Sequence, residues 1–434
     1  MRPTLVRWRI LALLALAGCI AYLLRLNMSV AGESMVRDLG LTEVQFGLVL
    51  SAFAWGYAIF QLPGGVYGQV AGPRRALATI IVAWGVITLL TGLVPAAGAF
   101  PLPALLGLLL ALRFLQGVFQ APIFPVSVGG VVGRWFPARE WGFANSMITA
   151  GLTVGAAATG PLVAALVGAI GWRESFLVTG PLALGLAALW WWYSRDDPAA
   201  HPAINAGEAE LITAHRPEQA TGAEARAGVW TLLRNRSLLM VTLSYFLMNY
   251  VFYLFFNWFY YYLVEVRDLP AAAGGQFLAA QWMVGAVTAA AGGVACDRLS
   301  VRFGPTRGCR WTAMAGLLAS APLLVAGALA PGAGLAVALL SLSFGAIQFT
   351  DAAFWVAAMR TSTRHAPAAT GLLNTGGNVM GGLGAVAVPL VAAGFGWTVA
   401  VGSGALAALL AALAWLGVRA EDPESDGRPP RPAV

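Results

Sequence analysis

Lysine is absent from this chain of 434 residues, and charged side chains of all kinds make up only 10% of it. The basic character rests on 26 arginines set against 19 acids. Arginine-only basicity alongside abundant Ala and Gly points to genomic base composition rather than to function. Cysteine occurs three times, at Cys19, Cys296 and Cys309, isolated from one another along the chain. That scarcity excludes a disulfide framework and a cysteine metal site. The three histidines, His201, His215 and His365, all fall in polar segments. The side chain that titrates near neutrality is therefore missing from the apolar stretches. No metal-ligand cluster and no nucleophile motif occurs, and the longest polar stretch is 195–236. An enzyme, a cofactor protein and a sensor with a soluble domain are all disfavoured.

What is abundant is apolar surface. The chain is 59% hydrophobic with a mean hydropathy of +0.74, outside the range of soluble globular proteins. Apolar runs of about 20 residues or more, long enough to cross a bilayer, number twelve: 8–31, 45–70, 76–95, 102–132, 140–168, 174–194, 237–264, 272–296, 309–330, 333–358, 367–393 and 396–418. They are continuous rather than alternating, which rules out a barrel. All arginines but five lie in the termini or in alternate loops. The exceptions are Arg25 and Arg113 inside apolar runs, and Arg37, Arg173 and Arg267 in loops on the opposite side. The positive-inside rule puts both termini in the cytoplasm of an inner-membrane protein. The net charge of +7 follows from that bias and gives no support to nucleic-acid binding. The first run, preceded by Arg7 and Arg9, is too long for a signal peptide and lacks a small-residue cleavage site, so it reads as a retained helix.

The polar stretch 195–236 divides the chain near its middle. A six-helix bundle is expected over 1–194, a cytoplasmic linker over 195–236, a second bundle over 237–418 and a cytoplasmic tail over 419–434. The halves echo each other: Gly64-Gly65-Val66 recurs as Gly292-Gly293-Val294, and Pro161-Leu162-Val163-Ala164-Ala165 as Pro389-Leu390-Val391-Ala392-Ala393, both at an offset of 228. The expected fold is all-α and integral to the membrane, with twelve transmembrane helices in two parallel-related bundles around a central cavity. Gly and Ala from Gly151 to Gly171 and from Gly376 to Gly396 suit close helix approach.

Charge inside such helices is expensive. An arginine near mid-membrane costs about 2.5 to 3.5 kcal/mol on insertion scales and persists where it faces a cavity or a partner. Arg25 and Arg113 therefore mark a path for an anion, against the plainer reading of arginines locked to backbone carbonyls. Tyr22 lies one turn before Arg25 on roughly the same face. Among the acids only Asp351 is interior, nine residues before Arg360 or about 13 Å up its helix, where it can carry a proton or serve as an exchange partner for an arginine. Static packing is the competing role. On the aromatic seventh run, Asn249, Tyr253, Asn257 and Tyr261 recur every four residues, and Asn257 is the candidate contact for substrate hydroxyls. Gln281, Gln348, Trp355 and Asn378 are further candidates by depth.

The string YLLRLNMSVA, followed by SAFAWGYAIFQLPGG, LRFLQGVFQAPIFP, RWFPARE and GWRESF, resembles the anion:cation symporter branch of the major facilitator superfamily. FNWFYYYLV, GGVACDRLSVRFG and GLLNTGGN in the second half are similar to its later motifs. The resemblance spans nearly the whole chain. It implies that Tyr22, Arg25 and Tyr57 grip a substrate carboxylate, that Arg113 is the fourth-helix arginine, and that Asn374 is a polar contact on the eleventh helix. Three departures stand out. Leu24 replaces an acid before the first-helix arginine, and Gln116 and Gln120 replace acids after Arg113. Gln69 replaces an Asp in the first loop motif, whose second copy keeps Asp297. Gln120 joins the candidate substrate contacts, Asp351 and Arg113 are the candidates for coupling or charge exchange, and Arg75, Asp297 and Arg298 for gating.

The expected function is secondary active transport of an organic anion, a monocarboxylate or sugar acid, by alternating access with proton-coupled import. The expected partners are the substrate anion, the proton and membrane lipid, with no cofactor or metal, and the chain is expected to be a monomer. An uncoupled facilitator or anion exchanger is the first alternative, because the familiar proton carriers are replaced. A drug-efflux antiporter is the second.

Overall fold

The computed structural model describes residues 3–213, 224 and 229–421. His215, the middle of the linker and the tail beyond 421 lie outside them. Among the described residues the regular elements are all helical. The long helices are α1 (Val6–Leu39), α2 (Glu43–Ile59), α3 (Gln61–Ala71), α4 (Pro73–Gly92), α5 (Leu102–Gln120), α6 (Trp141–Ile170), α7 (Trp172–Tyr193), α8 (Arg236–Tyr261), α9 (Ala271–Phe303), α10 (Pro305–Leu329), α11 (Ala333–Thr361), α12 (Ala366–Phe395) and α13 (Trp397–Ala414). Eleven spans are long and apolar enough to cross a membrane, and α2 with α3, bent by 52°, makes a twelfth.

The breaks have local causes. At the α2–α3 bend, Pro63 has no N–H to continue the ladder. Beyond α5, Pro122 and Pro125 lead into a π-helical turn over Val126–Val132, which carries the span on to Trp135. Thr42 and Gln45 form a capping box at the start of α2. Gly40 ends α1 in the left-handed region at φ 65°, a conformation that suits glycine.

Packing repeats between the halves. In the first, α1 packs on α6, α2 on α5 and α4 on α7; in the second, α8 packs on α12, α9 on α11 and α10 on α13. The connections repeat too. Gly72 and Gly304, at φ 83° and 87°, each precede a proline that starts the next helix, and Gly171 and Gly396, at 95° and 84°, each precede a tryptophan that does so.

The bundles meet along α6 with α9 and α3 with α12. Glycine permits this contact. A Cβ on Gly65 would stand 2.4 Å from the Pro367 carbonyl oxygen, and one on Gly293 would stand 2.0 Å from Ser146 Oγ. Among the described residues, the polar contacts identified between bundles fall at the end that carries the linker, or at mid-depth. At that end Gly142 N–H and Phe143 N–H donate to Asp297 at 2.8 and 2.7 Å, Gln69 donates to the Arg364 carbonyl at 2.8 Å, and Arg360 donates to the Ala138 carbonyl at 3.0 Å. The opposite ends bond within their own bundle. Arg173 and Trp172 donate to Asp38, whose carboxyl the Arg173 guanidinium holds below the usual carboxylate range, and Arg267 donates to the Ala330 carbonyl at 2.7 Å. The halves are thus closed at the linker end, and the cavity opens toward the other.

The linker is partly folded. A short helix, Ala206–Thr213, brings Glu208 against the start of α1, where its fully buried carboxylate accepts from Val6 N–H and Arg7 N–H, each at 3.2 Å, and from the Thr4 hydroxyl at 2.5 Å. One expectation needs correction: Cys296 and Cys309 are not isolated. α9 and α10 bring both sulfurs, fully buried, to 3.8 Å as free thiols. The turn at Gly304 folds the twelve intervening residues back on themselves.

Candidate functional site

α1 carries Arg25 to the wall of a central cavity holding about 690 Å³ of empty space, its open mouth included. Aromatic rings hold the guanidinium carbon: Phe53 at 4.8 Å, Tyr57 at 5.0 Å, Tyr22 at 5.4 Å and Phe256 at 6.0 Å from their centroids. Ring faces attract a cation without accepting its hydrogen bonds in the manner of a carboxylate. Among the described residues no carboxylate pairs with Arg25, and the polar group in reach is the Tyr253 hydroxyl. Most of its donor fork is left for a ligand.

Arg113, on α5, does not line the cavity. It is 6% exposed, donates through Nη2 to the Arg25 carbonyl at 2.8 Å, and sits 4.7 Å from the Phe53 centroid. Phe53 therefore contacts both guanidinium groups. The locked-to-carbonyl arrangement describes Arg113 and not Arg25.

Asp351 faces the same cavity from α11. Its carboxylate accepts from the Thr149 hydroxyl at 2.9 Å and from Trp355 Nε1 at 3.0 Å. Thr149 belongs to α6, so this bond crosses between the bundles. A second crossing is neutral: Asn374 Nδ2 donates to Gln61 Oε1 at 2.8 Å. Asn378 donates to Asn374 Oδ1 at 3.1 Å and accepts from the Tyr253 hydroxyl at 2.9 Å. These amides, with Asn249, Gln348 and Thr153, give the lining its hydrogen-bonding capacity.

The structure brings Tyr22, Arg25, Tyr57, Asn374, Asp351, Gln348, Trp355 and Asn378 to this one cavity. Other candidates are placed elsewhere. Gln120 is buried behind the wall and donates to the Ala21 carbonyl at 2.7 Å. Gln281 is fully buried and lies outside the lining. Asn257 is exposed and also outside it. A four-residue repeat advances 400°, so the Asn249 face drifts by about 80° over eight residues while rising about 12 Å. Asn249 and Tyr253 face the cavity, and Asn257 has turned away. Of the gating candidates, Asp297 bridges the bundles, whereas Arg298 and Arg75 are exposed. Sequence reasoning missed Phe53, Thr149 and Thr153. Small hydroxyls within apolar helices carry no signal there, and one phenylalanine among 21 carries none either.

Two six-helix bundles with packing that repeats, closed at one end over a polar cavity at mid-depth, define a membrane transporter rather than an enzyme. The Major Facilitator Superfamily family model matches residues 14–384, and the chain belongs to that superfamily. It is 34% identical to the probable sulfoacetate transporter SauU of Cupriavidus necator over 86% of this chain and 85% of that one. It is 32% identical to the probable galactarate/D-glucarate transporter GudP of Bacillus subtilis, over 96% and 93%, and 30% identical to the hexuronate transporter of Bacillus subtilis, over 80% and 78%. Among solved structures, the Escherichia coli fucose transporter FucP in the outward conformation has the same fold, with a TM-score of 0.70, 14% identity and coverage of 94% and 98%.

Proposed function

We propose that this protein is a secondary active importer of an organic anion, a monocarboxylate or sugar acid, coupled to protons. It would sit in the inner membrane with both termini cytoplasmic. The observation that carries this reading is Arg25, a guanidinium on the cavity wall held by rings and, among the described residues, paired with no carboxylate. Such a fork binds a carboxylate bidentately. The amides of Asn249, Asn374, Asn378 and Gln348 suit the hydroxyls of a sugar acid, and a relative named for hexuronate supports that class.

In this reading the substrate enters from the open side, and the halves 1–194 and 237–418 rock about it. The linker end then parts as the Asp297 and Gln69 contacts break. Asp351 takes a proton from the outer medium as the anion arrives and gives it up on the cytoplasmic side. An uncoupled facilitator or exchanger is the second reading, favoured by Leu24, Gln116 and Gln120.

Uptake into proteoliposomes of a panel of sugar acids, simple monocarboxylates and aromatic acids, with and without an inward proton gradient, tests both. Accumulation driven by the gradient, abolished in Arg25→Ala, is the expected result. If Asp351→Asn keeps gradient-driven accumulation, the proton role of Asp351 is wrong; if the wild type shows none, the facilitator reading replaces the symport reading.

A further inference from the structure

The lining holds one guanidinium, Arg25, and one carboxylate, Asp351; among the described residues it has no other Arg and no Asp, Glu or His. The neighbouring charge that could have altered the balance, Arg113, is turned into the Arg25 carbonyl and does not reach the cavity. Around Asp351 stand Thr149 of α6, Trp355 of its own helix, and the phenols of Tyr22 on α1 and Tyr245 on α8, which feel its charge. Asp351 therefore has no resident cation bonded to it, and its two protein donors are neutral.

We propose that this pairing counts charge: the carrier moves one monoanion with one proton, electroneutrally, and discriminates against dianions such as aldarates. The inference rests on the proposed symport reading and specifies it. In the empty carrier the two opposite charges offset each other across the cavity, so it can close without a bare ion inside, which low-dielectric surroundings penalise heavily. An incoming monoanion takes the guanidinium. Asp351 is then the surplus charge, and one proton on its carboxylate restores the balance. The loaded and empty carriers thus differ by no net charge. A dianion brings a second negative charge for which the lining holds neither a cation nor a second carboxylate to protonate. Relatives named for galactarate, glucarate and sulfoacetate make this a distinction within the family rather than a property carried over from it.

The test uses the full chain in proteoliposomes and paired probes of matched size: gluconate with glucarate, galactonate with galactarate, and ethanesulfonate with sulfoacetate. Proton entry is read from a trapped pH dye, and the membrane potential is set with potassium and valinomycin. The expected result is about one proton per anion, steady-state accumulation indifferent to potential, and roughly a hundredfold preference for the monoanion of the transported pair. Asp351→Asn should lose gradient-driven accumulation. Its net uptake should become electrogenic, shifting about tenfold for roughly 60 mV of potential. Dianion uptake equal to that of its partner, wild-type accumulation that follows potential, or gradient-driven accumulation kept in Asp351→Asn would each overturn the proposal. Absence of Arg25-dependent uptake for every probe would instead overturn the proposed function, and the charge count with it.

Discussion

Four rings surround the Arg25 guanidinium, and Arg113 holds its backbone carbonyl. Lysine at this position would retain the charge but not the planar fork. Arg25→Lys is expected to lower kcat/KM for the transported anion by about 10- to 100-fold, the worth of a charge-assisted hydrogen bond at 1.5 to 3 kcal/mol. Uptake kinetics at matched protein density check this. Arg113 is a different case, a buried cation without a carboxylate whose Nε has no hydrogen-bond partner. Arg113→Leu should raise KM about tenfold as Arg25 loses its anchor, while thermal stability holds or rises because an uncompensated buried charge is removed. A substrate-contacting role would instead abolish binding. The penalty for burying charge made Arg25, Arg113 and Asp351 legible in the sequence, but it is blind to direction. Which arginine faces the cavity depends on helix rotation, and the run of residues around each leaves that open.

At the scale of elements, close approach depends on glycines with different duties. Gly292 lies where α9 meets α11 within one bundle, and a Cβ there would stand 1.9 Å from the Phe349 carbonyl oxygen. Gly65 lies between bundles, against Pro367. Gly292→Ala should therefore lower the melting temperature, whereas Gly65→Ala should leave it nearly unchanged and hold the linker end open. Thermal-shift assays, with labelling of single cysteines placed on the linker side of the cavity, would separate the two; a fall in melting temperature for Gly65→Ala without a change in labelling contradicts the assignment. The repeated Gly-Gly-Val motif was visible as sequence, and it marks tight packing in both copies, but the partner of each copy was not visible. The four-residue stripe on α8 misled for a related reason. It matches a helix face over about one turn and leaves it over about two, so Asn249 and Tyr253 meet the cavity and Asn257 does not. The proximity of Cys296 to Cys309 follows from the turn at Gly304 rather than from any spacing.

At the scale of the molecule, the twelve spans and the two halves were legible because hydropathy and arginine bias are summed over long segments, which makes them robust to local error. Which end is closed was not legible, since both states share one sequence and differ in contacts worth little singly. The charged contact, Asp297 at the start of α6, and the neutral one, Gln69 near the start of α12, sit at equivalent places in the two halves. A carboxylate at a helix N-terminus is worth about 0.3 to 1 kcal/mol, up to about 2 when partly buried. The two seams therefore open at unequal cost. Replacing Asn145 and Met359, which touch across the bundles, with a cysteine pair should give a disulfide that stops transport and is reversed by reductant; transport that continues with the disulfide formed would mean that this end does not part. The folded portion of the linker bears on the same movement. Glu208 grips the first turn of α1, and the 34 residues of α1 run unbroken from there through Arg25. The segment that joins the halves is thus also a splint on the foot of a rigid rod. Residues 206–213 are bonded to the foot of the same helix that carries the guanidinium to the cavity wall, so the connector and Arg25 share one continuous element.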